Sequence, residues 1–305
     1  MNNKTLAIVF GVLLLLAAFM FLFQSGNDER TFREVLVDID TSAVTEIIIQ
    51  PKSKEYKEFK IFREGEDWKV TLPSGKNANV SDRQMSSLLS QLLAIQPKRL
   101  AARDESKWNE LQVDSTGSRV QVFEGSDQTL DLVIGRFSFQ QPRTMNTFVR
   151  LFNDKDVYEV DGFLDMTFNQ GPNIFRDGTI INSVYNNWKQ IQFIYPADSS
   201  FQLINNGGNW FLNGIKTDST KTVNYLNRLR NLSNNNFIDE PSINPGESPT
   251  YSMNITTDDM KFIEVKCYMD STNSIVHSSQ NPEAFFDGAS LIKTIFVGQT
   301  AFLPN

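Results

Sequence analysis

Residues 59–97 read FKIFREGEDWKVTLPSGKNANVSDRQMSSLLSQLLAIQP, and two kinds of local pattern follow one another within them. Phe59 to Arg63 and Trp68 to Leu72 are β-rich runs, separated by turn-forming residues at 64–67. With the upstream run Glu46-Ile47-Ile48-Ile49 they predict a three-stranded meander. At Ser81 the pattern changes. Ser-Asp-Arg-Gln fits a capping box, in which the Ser81 hydroxyl accepts a free backbone N–H and Gln84 reaches back. Met85, Leu88, Leu89, Leu92 and Ile95 then fall on one helical face, and Pro97 ends the run.

The same order recurs downstream. Ile191 and Phe193 lie in a strand-like run, Phe201 to Ile204 follows, and Trp210-Phe211-Leu212 comes after the turn at 205–209. A helix opens at Asp218, with Thr222, Tyr225, Leu226, Leu229 and Leu232 at the spacing of the first helix. This predicts two copies of one β-meander-plus-helix unit, each finished by further strands. In the first copy these are 119–123, 130–134, 147–151 and 157–160; in the second they are 251–256, 262–268 and 275–278, with a less regular ending through Ile295 to Val297. The expected class is α+β with antiparallel sheets. The expected organisation is an anchor at 1–24, a connector at 25–43, a first repeat at 44–161, a joint at 162–187 and a second repeat at 188–305.

Residues 5–23, TLAIVFGVLLLLAAFMFLF, contain no charged residue. At about 1.5 Å per residue such a run spans a bilayer as a helix. Phe23 gives a poor cleavage site and no cysteine stands near Gln24, so the run predicts a retained transmembrane signal anchor rather than a cleaved signal. The short head with Lys4 points to a cytoplasmic amino terminus and an exported remainder, although Arg30 and Arg33 leave little charge bias. Lys plus Arg number 29 against 36 Asp plus Glu, a net charge of −7, which disfavours nucleic acid as a partner. The one cysteine, Cys267, forms no internal disulfide, which excludes a disulfide-stapled module.

Trp68-Lys69-Val70, the capped helix with Leu88 and Leu92, Leu132-Val133-Ile134-Gly135, Phe148-Val149-Arg150, Val157-Tyr158 and Phe175-Arg176-Asp177 follow in an order that resembles the bacterial domain-of-unknown-function family DUF4340. One departure is Glu110 in Asn109-Glu110-Leu111, where that family usually has glycine. The stretch at 278–282 resembles members from Bacteroidota. The resemblance implies a single-pass bacterial inner-membrane protein with a duplicated periplasmic region, found beside ABC-type transport systems similar to the gliding-motility one. It supplies no catalytic residue.

Few residues suggest chemistry. His277 is the only histidine, so a serine-dependent hydrolase would need it with Ser278 or Ser279, and a histidine with local hydrogen bonds is the simpler reading. Cys267 sits in an alternating run and reads as a small buried residue. Asn153-Asp154-Lys155-Asp156 lacks the ligand spacing of a calcium loop and reads as a hairpin turn. No cofactor or metal is expected. Arg136, Phe137, Phe139 and Arg143 make a candidate partner-contact loop beside Gly135. The tripeptide Asp-Ser-Thr at Asp114, Asp218 and Asp270 marks Ser115, Ser219 and Ser271 as candidate O-glycosylation sites. The functional expectation is a non-enzymatic accessory or scaffolding subunit of an ABC-type envelope complex; ligand capture between the two copies and a serine hydrolase are the alternatives.

Overall fold

The computed structural model describes residues 33–140, 144–243, 247–269 and 273–304. Its first sheet begins with β1 (Val44–Gln50), β2 (Phe59–Glu64), β3 (Asp67–Thr71) and β4 (Asn77–Val80). After helix α1 (Asp82–Leu93) come β5 (Pro97–Ala102), β6 (Ser118–Glu124), β7 (Asp127–Gln140), β8 (Thr144–Leu151) and β9 (Val157–Asp161). These nine strands pair in the order β4-β3-β2-β1-β6-β7-β8-β9-β5, every neighbour antiparallel.

The second half contains β10 (Thr179–Asn182), β11 (Trp188–Ile194), β12 (Phe201–Asn206), β13 (Asn209–Leu212) and β14 (Ile215–Lys216). Helix α2 (Ser219–Leu229) follows, then β15 (Asn231–Ser233), β16 (Tyr251–Thr257), β17 (Phe262–Met269), β18 (Ser274–Ser278) and β19 (Asn281–Asp287). Eight of them form a sheet ordered β14-β13-β12-β11-β16-β17-β18-β19, while β10 pairs with β15 alone. Both large sheets thus run outward from a central pair, β1 with β6 or β11 with β16. The tight turn between β12 and β13 rests on Gly207 and Gly208 at φ 59° and 85°, values that a Cβ disfavours.

The α+β expectation is corrected. Strand accounts for 44% and helix for 18%, so the class is predominantly antiparallel β. Among the described residues no helix is long and apolar enough to cross a membrane. The run at 5–23, expected as a transmembrane helix, lies outside the described residues. The meander has four strands rather than three, because Asn77–Val80 adds to β3. The ending taken as irregular holds a full strand, β19, before the short helix Leu291–Ile295.

Each helix buries its apolar stripe on its own sheet. Met85, Leu88, Leu92 and Ile95 join Ile47, Ile61, Val120 and Leu132 in the first core, with Leu36 and Val37 from the preceding segment. Tyr225, Leu226 and Leu229 join Phe193, Leu203, Met253 and Val265 in the second. The halves meet where β4 approaches β19. Asp177 N–H donates to the Asn79 carbonyl at 2.6 Å, Asn281 Nδ2 donates to the Asp177 carbonyl at 2.6 Å, and Lys69 lies 3.5 Å from Glu283.

Candidate functional site

The long strand β7 continues beyond its partner β6. The β6 ladder ends at Ser118 opposite Ile134, whereas β7 and β8 stay paired to Gln140 opposite Thr144. A register shift between Ile134 and Phe137 marks a bulge at the start of this extension, where a bulge re-aims side chains. Phe137 and Phe139 are two apart and so share a face, and Met145 is directly opposite Phe139. All three are about half exposed, at 46%, 56% and 49%. The Phe137 ring packs edge-on against Phe163 at 4.7 Å, which holds the root of the ribbon to the body. Arg136 lies 5.3 Å from the centroid of Phe148, and its buried Nε has no hydrogen-bond partner. Arg143 lies outside the described residues. Two aromatics and a methionine share one face of this extension, whose β8 side stays paired with β9 as far as Asn146 opposite Asp161, and make a compact contact surface.

His277 and Ser278 do not form a catalytic pair. They are consecutive in β18, so their side chains leave opposite faces. His277 packs 4.9 Å from Phe285 and its Nε2 lies 3.2 Å from the Pro282 carbonyl. The fully buried Ser278 hydroxyl donates to the Ile180 carbonyl at 2.5 Å and accepts from Gln280 N–H. Ser279 Oγ accepts from Glu264 N–H at 2.9 Å. These hydroxyls tie loops to strands. Cys267 is fully buried, and desolvation pushes its thiol up to about 11, which suppresses the nucleophilic thiolate.

The turn at 153–156 joins β8 to β9. The carbonyls of Phe152 and Asp154 accept from Arg150 Nη1 at 2.7 and 3.0 Å, so a guanidinium occupies the place where a calcium loop would present oxygens to a metal. Among the described residues no cluster of three His, Cys, Asp or Glu could hold a metal ion. Ser115 is exposed in the loop after Leu111, and Ser219 is exposed at the first position of α2, behind the capping Asp218. Ser271 lies outside the described residues.

A cavity of about 260 Å³ opens where the halves meet, lined by Asn79, Arg176, Asp239, Asn281, Glu283 and Phe285 among others. Arg176 is buried, stacks 3.8 Å over Phe237 and donates to Asp239 Oδ1 at 2.7 Å, while its Nε finds no partner. In the sequence Arg176 stands in the joint and carries no signal of this cavity.

Two antiparallel sheets of shared strand order, each carrying one capped helix, define a duplicated β-rich class. The chain matches the family described as domain of unknown function (DUF4340) over residues 68–254, well over half its length, and belongs to that family. No curated protein and no solved structure matches it.

Proposed function

We propose that the protein is a non-enzymatic accessory subunit of a Bacteroidota-type ABC transport or gliding-like envelope complex, held at the inner membrane with its folded region in the periplasm. The observation that carries this reading is the β7–β8 ribbon with Phe137, Phe139 and Met145 half exposed on one face. Apolar residues clustered on one exposed face mark interaction surfaces, whereas singly scattered ones do not. The commitments of Ser278, His277 and Cys267 to local packing favour a binding role over covalent catalysis. Membrane attachment rests on the apolar sequence at 5–23 alone.

Affinity purification of the full chain from mildly solubilised membranes tests the proposal. Permease and ATPase components are expected with the wild type and are expected to be lost with Phe139→Glu. Recovery of the chain alone contradicts it. The cavity between the halves favours a second reading, capture of a small polar ligand against Arg176, because an unpartnered buried guanidinium nitrogen lines it. Arg176→Gln is then expected to abolish ligand retention and leave copurification intact.

A further inference from the structure

A second cavity, of about 390 Å³, lies on the face of the first sheet opposite α1. Its floor is one cross-strand row. Gln50 on β1 pairs with Arg119 on β6, Arg119 with Val133 on β7, and Val133 with Arg150 on β8, so all four share a face. Its wall is the segment from Trp108 through Asp114 and Ser115 to Gly117. Gly135 lets that segment approach the sheet, since a Cβ there would collide with the Leu111 carbonyl.

Arg150 is the unusual member. It is only 3% exposed, and a side chain of this type is rarely so buried unless it is paired. Its Nε donates to the Val113 carbonyl at 3.0 Å, and Nη1 is shared among the carbonyls of Leu151, Phe152 and Asp154. Among the described residues Nη2 makes no hydrogen bond, and no carboxylate lies within ion-pair range of the group. The guanidinium stacks 3.8 Å over Trp108. Burial is the largest influence on its pKa and lowers it, while the charges of Glu105, Asp131, Asp154 and Asp114 act in the opposite sense from beyond ion-pair range.

Of the nearby carboxylates, Asp131 is paired with a cation and Asp114 is held by neutral donors. Arg119 holds Asp131 through two bonds of 2.8 and 2.6 Å and stacks 3.6 Å over Phe152. Asp114 accepts from the Thr116 N–H and hydroxyl and from Asn109, which holds its carboxyl below the usual range. Buried Arg150, with Arg119 and Asp114 beside it, lines an aromatic-walled cavity large enough for a single small ring.

We infer that this cavity binds a small organic carboxylate, with Arg150 Nη2 and the Ser115 hydroxyl on the acid group and Trp108 and Phe152 against its body. Asp114, whose charge also lines the cavity, selects a monoanion over inorganic phosphate. Charge-assisted bonds to guanidinium are the strong component of such recognition.

Calorimetric titration of the purified chain with benzoate and D-glucuronate, against benzyl alcohol, glucose and inorganic phosphate, tests the inference. Tryptophan fluorescence reads the same site, because Trp68, Trp188 and Trp210 are buried at 5%, 0% and 6% exposure. Saturable binding of at least one acid is expected, with none for the neutral compounds or phosphate; which acid binds reports the ring type. Arg150→Lys is expected to weaken binding at least tenfold. Ser115→Phe, at an exposed position, is expected to abolish it with an unchanged melting temperature. Absence of saturable heat with either acid, equal binding of acids and neutral compounds, or unaltered binding by Ser115→Phe would overturn the inference.

Discussion

Single residues set both long helices. Ser81 Oγ accepts the Gln84 N–H at 3.4 Å, and Asp218 Oδ1 accepts the Lys221 N–H at the shorter 2.9 Å. Asp218→Ala is therefore expected to lower stability by about 1 kcal/mol in urea unfolding, and Ser81→Ala by less. Cys267, with its thiol at about 11, and Tyr195 and Tyr225, whose hydroxyls burial also raises, set an alkaline limit. For each, the unfolded chain loses its proton first, so stability is fully present below the unfolded pKa and falls as pH climbs. Unfolding midpoints are expected to drop from about pH 9 toward pH 11, and Cys267→Ala to remove the earliest part of that drop. Sequence revealed the caps because Ser-x-x-Gln and Asp precede apolar stripes. It hid Arg150, since an arginine in Phe-Val-Arg looks like any outward strand residue until its register partners are known.

At the scale of elements, strand periodicity located β2, β3 and β6 closely, and α1 and α2 by their stripes. It missed β4, β5, β10, β14, β15 and β19. Asn77–Val80 is short with two asparagines, and Asn281–Asp287 contains Pro282 and two acidic residues, yet both pair at sheet margins where tertiary context outweighs propensity. The class was misjudged because two well-capped helices are vivid in sequence, while short polar strands that tip the balance toward β are not. Glu110, where the family pattern has glycine, lies inside the short helix Trp108–Leu111 and bonds Lys107 at 2.8 Å; the left-handed position is Gln112 at φ 56°. The aromatics beside Gly135 were visible in the sequence, but the extension of β7 and β8 past β6 followed from the ladder lengths. Phe139→Glu is expected to change stability by no more than about 0.5 kcal/mol in denaturant titration while removing partner binding. Leu226→Ala, in a fully buried site, is expected to cost about 2–5 kcal/mol.

Each half holds its own large core and the two share no residue, with a smaller cluster of Leu111, Val113, Val133, Phe148 and Val157 in the first half; the halves join through β4, β19 and the segment around Asp177. Separate cores with a narrow polar junction favour separate unfolding. Calorimetry is expected to show two transitions, with Leu92→Ala lowering only one; a single transition shifted as a unit would show that the junction couples the halves. The same division suits a subunit that contacts a partner through the first half while the second stays free. The most direct test of that assignment is site-specific photo-crosslinking in cells at Phe139, with Ile204 of the second half, 44% exposed, as the comparison position. The account predicts a crosslink to a transport-complex component from Phe139 and none from Ile204; no product from Phe139, or the same product from both positions, would contradict it.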